Sequence, residues 1–263
     1  MVRSWRGRGS GGGGRRAIIV SLAAALATAA GASSASATPL GINLIVNPGA
    51  ENGAGATNFS SAVVVPTGWI TTSNFSAVQY AVGGPADLNT SDAAAILGGL
   101  NYFSGGPANG LSTATQEISF DDLAADVDAG KVSFLLSGYL GGWGAQGDAM
   151  SVKATFLNEA NGILLSSILG PLATTSRGGL SQLLFATSGL NSVPTGARSV
   201  TIAMTATRTE GAYNDAYADN LSLLFAEPDA PSAVPEPASL SLIGLGVAAL
   251  IARRKLFKRR PLK

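Results

Sequence analysis

The 263-residue chain contains no cysteine and no histidine. Without histidine there is no Ser-His-Asp triad, no Cys-His nucleophile pair and no imidazole-ligated metal. Without cysteine there are no disulfides, zinc ribbons or iron–sulfur ligands. Charge is also scarce: Asp, Glu, Lys and Arg make up 13% of the chain, roughly half the usual share. A broad basic surface for nucleic acid is therefore excluded, and no nucleic-acid partner is expected.

The charges that are present are sorted by position. Five arginines (Arg3, Arg6, Arg8, Arg15, Arg16) lie in the first 16 residues, and seven basic residues (Arg253, Arg254, Lys255, Lys258, Arg259, Arg260, Lys263) lie in the last 11. Residues 38–226 keep five bases (Lys131, Lys153, Arg177, Arg198, Arg208) against 13 of the 16 acids, a net charge of −8. The chain reads as a mildly acidic middle between two basic ends.

Each basic end adjoins an apolar run. At the start, a basic segment through Arg16 leads into Ala17-Ile18-Ile19-Val20 and then into small residues ending at Ala35-Ser36-Ala37. This is the layout of a secretory signal peptide over residues 1–37, cleaved after Ala37 with Ala35 and Ala37 as the small residues read by the peptidase. An export translocase and a signal peptidase are the implied partners; Arg15-Arg16 also suits a twin-arginine route. At the other end, residues 227–237 form a Pro-rich linker, residues 238–252 are uncharged, and residues 253–263 are a basic tail. A helix over that uncharged run spans about 22 Å, short of the ~30 Å bilayer core. It is expected to be a short transmembrane helix, a transient anchor in the inner membrane with its basic tail inside.

The residues Val234-Pro235-Glu236-Pro237-Ala238-Ser239, the apolar run and the terminal arginines resemble the PEP-CTERM sorting signal over residues 234–263. The resemblance implies processing by an exosortase, a membrane-embedded transpeptidase-like cysteine protease. It also implies a Gram-negative bacterium that makes exopolysaccharide, and a destination at the cell surface or in the extracellular matrix. The same tail also occurs under an ice-binding label. The body has no regular Thr-x-Thr ladder, so that function is not carried over.

The middle, residues 38–226, reads as one all-β domain. Met150, Val152, Ala154 and Phe156 alternate with Ser151, Lys153 and Thr155, and Val200, Ile202, Met204 and Ala206 alternate with mostly polar neighbours, the period of a half-buried strand. Leu221, Leu223 and Phe225 do so more loosely. Further strands are expected over 42–46, 76–82, 93–97, 115–120, 131–140, 163–169 and 182–187, separated by Gly, Pro and Asn turns. One short helix is expected after Asp121 or Asp122, with Leu123 and Val127 on one face. Many short strands imply a jelly-roll β-sandwich.

Two motifs in the middle imitate ligand loops. Gly142-Trp143-Gly144-Ala145-Gln146-Gly147 fits G-x-G-x-x-G, but the expected strand on each side leaves no helix N-terminus for a pyrophosphate. A flexible hairpin loop is expected instead. Asp126-Val127-Asp128 opens like a calcium-binding EF-hand loop, yet Lys131 stands where the turn needs Gly and Ser137 where the loop needs Glu. A solvated helix end is expected there.

Two further segments resemble the first and last strands of galactose-binding-like jelly rolls, common among carbohydrate-binding modules: Asn43-Leu44-Ile45-Val46-Asn47-Pro48-Gly49-Ala50-Glu51 and Tyr217-Ala218-Asp219-Asn220-Leu221-Ser222-Leu223. The resemblance implies that these segments lie close together and share a structural Ca²⁺ with Glu51 and Asp219 as carboxylate ligands. The alternative is that Glu51 caps a turn and Asp219 bonds backbone. Trp69, after Pro66 and Gly68, resembles a core-packing step of the same modules. Trp143, in its Gly-rich loop, is a candidate sugar-stacking residue together with Tyr139. These readings point to an exported, non-catalytic surface or matrix protein binding exopolysaccharide or another glycan. A purely structural or adhesive protein is the alternative, and a glycoside hydrolase working with paired carboxylates is a third.

Overall fold

The structure, a computed structural model, describes residues 38, 40–58, 62–80 and 87–227. Among these residues it is an all-β sandwich of two five-stranded antiparallel sheets. The first sheet runs β1 (Ile70–Thr72), β4 (Leu111–Ser119), β9 (Ala197–Thr207), β6 (Ala149–Asn158), β7 (Ile163–Leu169). The second runs β2 (Ser76–Gln79), β3 (Asn101–Pro107), β10 (Tyr213–Ala226), β5 (Ser133–Gly142), β8 (Gln182–Ser192). Two short helices accompany them, α1 (Thr90–Ile96) and α2 (Ala124–Asp128).

The period-2 segments become the central strands of the first sheet. β6 and β9 pair from Ala149↔Thr207 to Asn158↔Ala197. Their apolar sets, Met150, Val152, Ala154 and Phe156 with Val200, Ile202, Met204 and Ala206, all turn inward and are buried. The second sheet answers with Phe103, Phe134, Leu136, Leu140, Leu223 and Phe225. The rings interlock: Phe134 and Phe156 lie 4.6 Å apart, and Phe120 meets Phe225 edge-on at 5.0 Å. Each such side chain contributes about 1.5–3 kcal/mol by leaving water. Trp69 is in this core, edge-on to Phe103 at 5.5 Å, its indole N–H donating to Asn47 O at 3.2 Å.

Several expected elements differ. Residues 93–97 are not a strand: residues 93–96 end α1, Leu97 is its C-cap, and Asn89 is the N-cap before its first residue. The Asn89 side chain accepts from Ser91 N–H, and Asp92 reaches back to the Asn89 N–H, a capping box that fixes the helix start. Residues 42–46 form only a single bridge, Asn43↔Leu224, because the Asn43 side chain takes over the pairing. It donates to Leu221 O and accepts from Leu223 N–H. β2 stops at Gln79, ahead of the expected end. The 3₁₀ turn Asp121–Leu123 and α2 appear where a short helix is expected, with Val127 buried. Their start has no side-chain cap, because Asp121 accepts from Ser119 and Asp122 from Thr38. The EF-hand-like Asp126 and Asp128 instead form ion pairs with Lys131 and Arg198.

Among the described residues no helix is long and apolar enough to cross a membrane. The signal segment 1–37, most of the linker, the apolar run 238–252 and the tail 253–263 lie outside the described residues.

Candidate functional site

The outer face of the second sheet carries a second buried cluster, which includes Val78, Tyr80, Leu88, Ala93, Tyr102, Leu183 and Tyr217. It exists because alternate residues of β10 point away from the core. Ala216 and Ala218 face inward, so Asp215, Tyr217 and Asp219 face outward. All three are buried nonetheless. Tyr102 bridges the rings, 4.9 Å from Tyr80 and 5.1 Å from Tyr217.

Each outward carboxylate has a tyrosine donor. The Tyr217 hydroxyl donates to Asp215 Oδ1 at 2.9 Å and the Tyr80 hydroxyl to Asp219 Oδ2 at 2.6 Å. Burial pushes the Asp215 carboxyl up to about 6; Asp148 and Asp87 push the same way, and the Tyr217 bond opposes them. Burial pushes Asp219 up to about 7, with Glu51 adding and the bonds from Tyr80 and Asn220 opposing. Burial raises the tyrosines as well, so they remain neutral donors. Asp148 lies buried behind Asp215 and accepts the amides of Thr209, Glu210 and Asp215.

Glu51 and Asp219 are brought together from segments 168 positions apart. A methyl group on Gly49 would sit 3.0 Å from Asp219 Oδ1 and 3.8 Å from Glu51 Cγ. Gly98 and Gly99 close the other side, where added Cβ atoms would come within 2.4 Å of Asp219 Oδ2 and 2.5 Å of Glu51 Cδ. The glycines are required there, Gly99 doubly so because its φ is +74°. The Glu51 carboxylate accepts Leu100 N–H at 3.0 Å and Asn101 N–H at 2.7 Å, and Asp219 accepts Asn220 N–H at 2.6 Å. Two carboxylates are hard oxygen donors of the kind Ca²⁺ takes, and each oxygen has more than one lone-pair site. Among the described residues no third acidic, His or Cys side chain joins them. Glu51 and Asp219 are the two side chains at this junction whose chemistry suits a hard cation.

Tyr139 is the direct strand partner of Asp219 across β5 and β10, so the two sequence-derived candidate sites share one sheet face. Its ring meets the exposed Phe185 ring edge-on at 5.5 Å. Trp143 follows β5, half-buried, and packs on the outer cluster as Tyr139 does. It walls a shallow cavity of about 280 Å³ with Asp87, Gln146, Tyr213 and Asp215. Among the described residues the lining contains two acids and no base. Gln146 Oε1, shielded from solvent, has no hydrogen-bond partner among the described residues.

The loop carrying Trp143 is fastened rather than flexible. Arg177, 1% exposed, donates through Nη1 to the carbonyls of Gly142, Gly144 and Leu180 and through Nη2 to that of Gln146, at 2.7–2.9 Å. The strands on both sides of this loop exclude the dinucleotide geometry, as its surroundings in the sequence imply. Arg177, Asp148 and Asp215 escape sequence reasoning. The available signal for Arg177 is that it is the one charged residue between Glu159 and Arg198. The sorting residues Val234, Pro235, Glu236, Pro237, Ala238 and Ser239, and the signal residues Ala35 and Ala37, lie outside the described residues.

Comparison with known proteins finds the PEP-CTERM protein-sorting motif at residues 233–255. No curated protein matches the sequence. Among solved structures, a cyclase from Fischerella sp. TAU in complex with 4-(1H-indol-3-yl)butan-2-one is 13% identical, covering 72% of this chain and 99% of the cyclase, with a TM-score of 0.48. The C-terminal family 22 carbohydrate-binding module of Clostridium thermocellum Xyn10B is 11% identical, covering 65% of this chain and 89% of the module, with a TM-score of 0.32. The enzymatically active domain of bacteriophage CBA120 tailspike protein 4 is 13% identical over 70% of this chain, at a TM-score of 0.41. This chain spans 22% of that tailspike chain. Likenesses at this level assign neither activity nor ligand.

Proposed function

We propose that this chain is an exported, non-catalytic protein of the cell surface or extracellular matrix of a Gram-negative bacterium, sorted by an exosortase through its C-terminal segment. The sorting motif at residues 233–255 carries this reading. Translocase and signal peptidase act first, the inner membrane holds the protein transiently, and the exosortase acts last. Intact-mass spectrometry of protein recovered from the cell surface tests it. The expected species begins at Thr38 and lacks the basic tail after Ala252. A full-length species running from Met1 to Lys263 would refute it.

For the body we propose a jelly-roll of the galactose-binding-like kind that binds exopolysaccharide or another glycan at Trp143, with Tyr139 beside it. A fixed indole offers a flat apolar face to a sugar ring. Asp87, Asp215 and the unpartnered Gln146 oxygen, all in the cavity wall, are acceptors for hydroxyl hydrogens. Arg177 supports the reading by holding the loop still, since a binder loses less freedom when its site is already ordered. Retention on immobilised exopolysaccharide is expected for the native chain and is lost in Trp143→Ala; equal retention of the two removes this site. A structural Ca²⁺ between Glu51 and Asp219 would tie the first segment to β10 and supply only cohesion, with no chemical step.

One observation favours a second reading. A buried carboxyl that titrates near 6 beside a second acid in a cavity has the character of a general acid. Release of reducing sugar by the native chain and its loss in Asp215→Asn would make the body a glycoside hydrolase. No release leaves the binding reading standing.

A further inference from the structure

The cavity beside Trp143 has two oxygens that nothing in the fold satisfies. Asp215, 7% exposed, lines it. Its Oδ1 accepts the Tyr217 hydroxyl, while its Oδ2 accepts no hydrogen bond among the described residues. Gln146 Oε1, in the same wall and shielded from solvent, accepts none there either. A shielded acceptor without a donor is unfavourable until a ligand brings one. Asp215 also belongs to no ion pair among the described residues, where the pairs are Lys131–Asp126 and Arg198–Asp128. Burial lifts its carboxyl to about 6, Asp148 and Asp87 push the same way, and no base among the described residues lines the cavity to offset them. Trp143 and Tyr213 give the wall its aromatic part. The volume, about 280 Å³, lies at the small end of the ~300–1,000 Å³ of ligand sites, so one ring enters rather than a stretch of polymer.

Resting on the glycan-binding reading of this cavity, we infer that the sugar it takes is an amino sugar with a free ammonium group, held by Asp215 Oδ2 and Gln146 Oε1 against Trp143. The donor count selects the ligand. An ammonium group brings three donors and no acceptor, so it satisfies both open oxygens at once. A sugar hydroxyl brings one donor, and its own lone pairs then face a buried carboxylate. The charge selects the same ligand: a cation in the cavity supplies the countercharge that Asp215 lacks, and a charge-assisted hydrogen bond is about twice as strong as a neutral one. The aromatic wall attracts a cation through its ring faces and accepts the apolar carbons of the sugar ring. At longer range, the net charge of −8 on residues 38–226 draws a cationic polymer toward the body and repels an acidic one.

Calorimetric titration of the native chain with two trisaccharides of the same linkage tests this. One is built of glucosamine, the other of glucose, where a hydroxyl stands in place of each ammonium. Glucosamine is expected to bind roughly tenfold tighter at physiological salt. Asp215→Asn is expected to erase that preference, with the circular dichroism spectrum unchanged. Gln146→Leu, which removes the other open oxygen, is expected to weaken glucosamine more than glucose, and it carries the test if Asp215→Asn does not fold. Glu117→Gln removes the same unit of charge from an exposed position on β4, in the other sheet, and is expected to leave the preference intact. Equal affinity for the two sugars overturns the inference, as does a preference that survives both cavity variants or falls equally in Glu117→Gln. Binding of neither trisaccharide also overturns it, while retention on exopolysaccharide through Trp143 decides the broader glycan reading separately.

Discussion

Asp215 shows how a single buried carboxyl is tuned by its neighbours. Its folded value near 6 lies above the ~3.9 of an exposed aspartate, so the folded state holds the proton more tightly. The resulting stabilisation is complete below about pH 4 and is lost as pH rises through about 6. Denaturant unfolding across pH 4–7 is expected to show stability falling over that window, and Asp215→Asn is expected to flatten the fall. The amide oxygen still accepts the Tyr217 hydroxyl, so the variant should fold. An unchanged slope would mean that other groups set the pH dependence. Nothing local in the sequence announces this residue, because its environment is assembled from Asp148, Tyr217 and the cavity wall. Arg177 is similar: its four carbonyl partners lie on either side of the stretch that carries it, and only the fold brings them to one guanidinium. Glu51 and Asp219, by contrast, were legible as a pair, because each sits in a short segment that resembles a known strand pattern.

At the level of elements, legibility followed alternation. β6 and β9 have one buried and one more exposed face, so their period-2 pattern gave both existence and orientation. β7 was placed to the residue. β3 was missed because all seven of its residues are buried and three are Gly or Pro, which erases alternation and imitates a turn. α1 was misread because Ala93-Ala94-Ala95-Ile96-Leu97 is a short apolar run, ambiguous between strand and buried helix. The deciding signal was upstream, in Asn89 and Asp92. Asn89→Ala is therefore expected to cost about 1 kcal/mol in thermal or denaturant unfolding. It should also loosen the helix that packs Ala93 onto Tyr80 and its neighbours, read as faster amide exchange over α1. A neutral result would assign the helix start to packing alone.

At the level of the whole molecule, the first described segment and the last strand meet at Glu51 and Asp219, across most of the sequence. A cation shared there would act on the entire sandwich rather than on one loop. Addition of EDTA to the purified chain is accordingly expected to lower the midpoint of global thermal unfolding, with calcium restoring it and elemental analysis finding bound metal. An unchanged midpoint and no bound metal would leave both carboxylates to the hydrogen bonds they already accept. The all-β class and the two-sheet arrangement follow from composition and period. The packing of the second sheet's outer face does not, since it depends on segments brought over that face from elsewhere in the chain.

The second sheet has its final strand in its middle: β10 sits between β3 and β5, which have no direct pairing with each other. A chain delivered N-terminus first therefore cannot zip this sheet until residue 226 has emerged, and by then the sorting tail is next in line. Completion of the body is thereby tied in time to the arrival of the residues that carry the sorting motif.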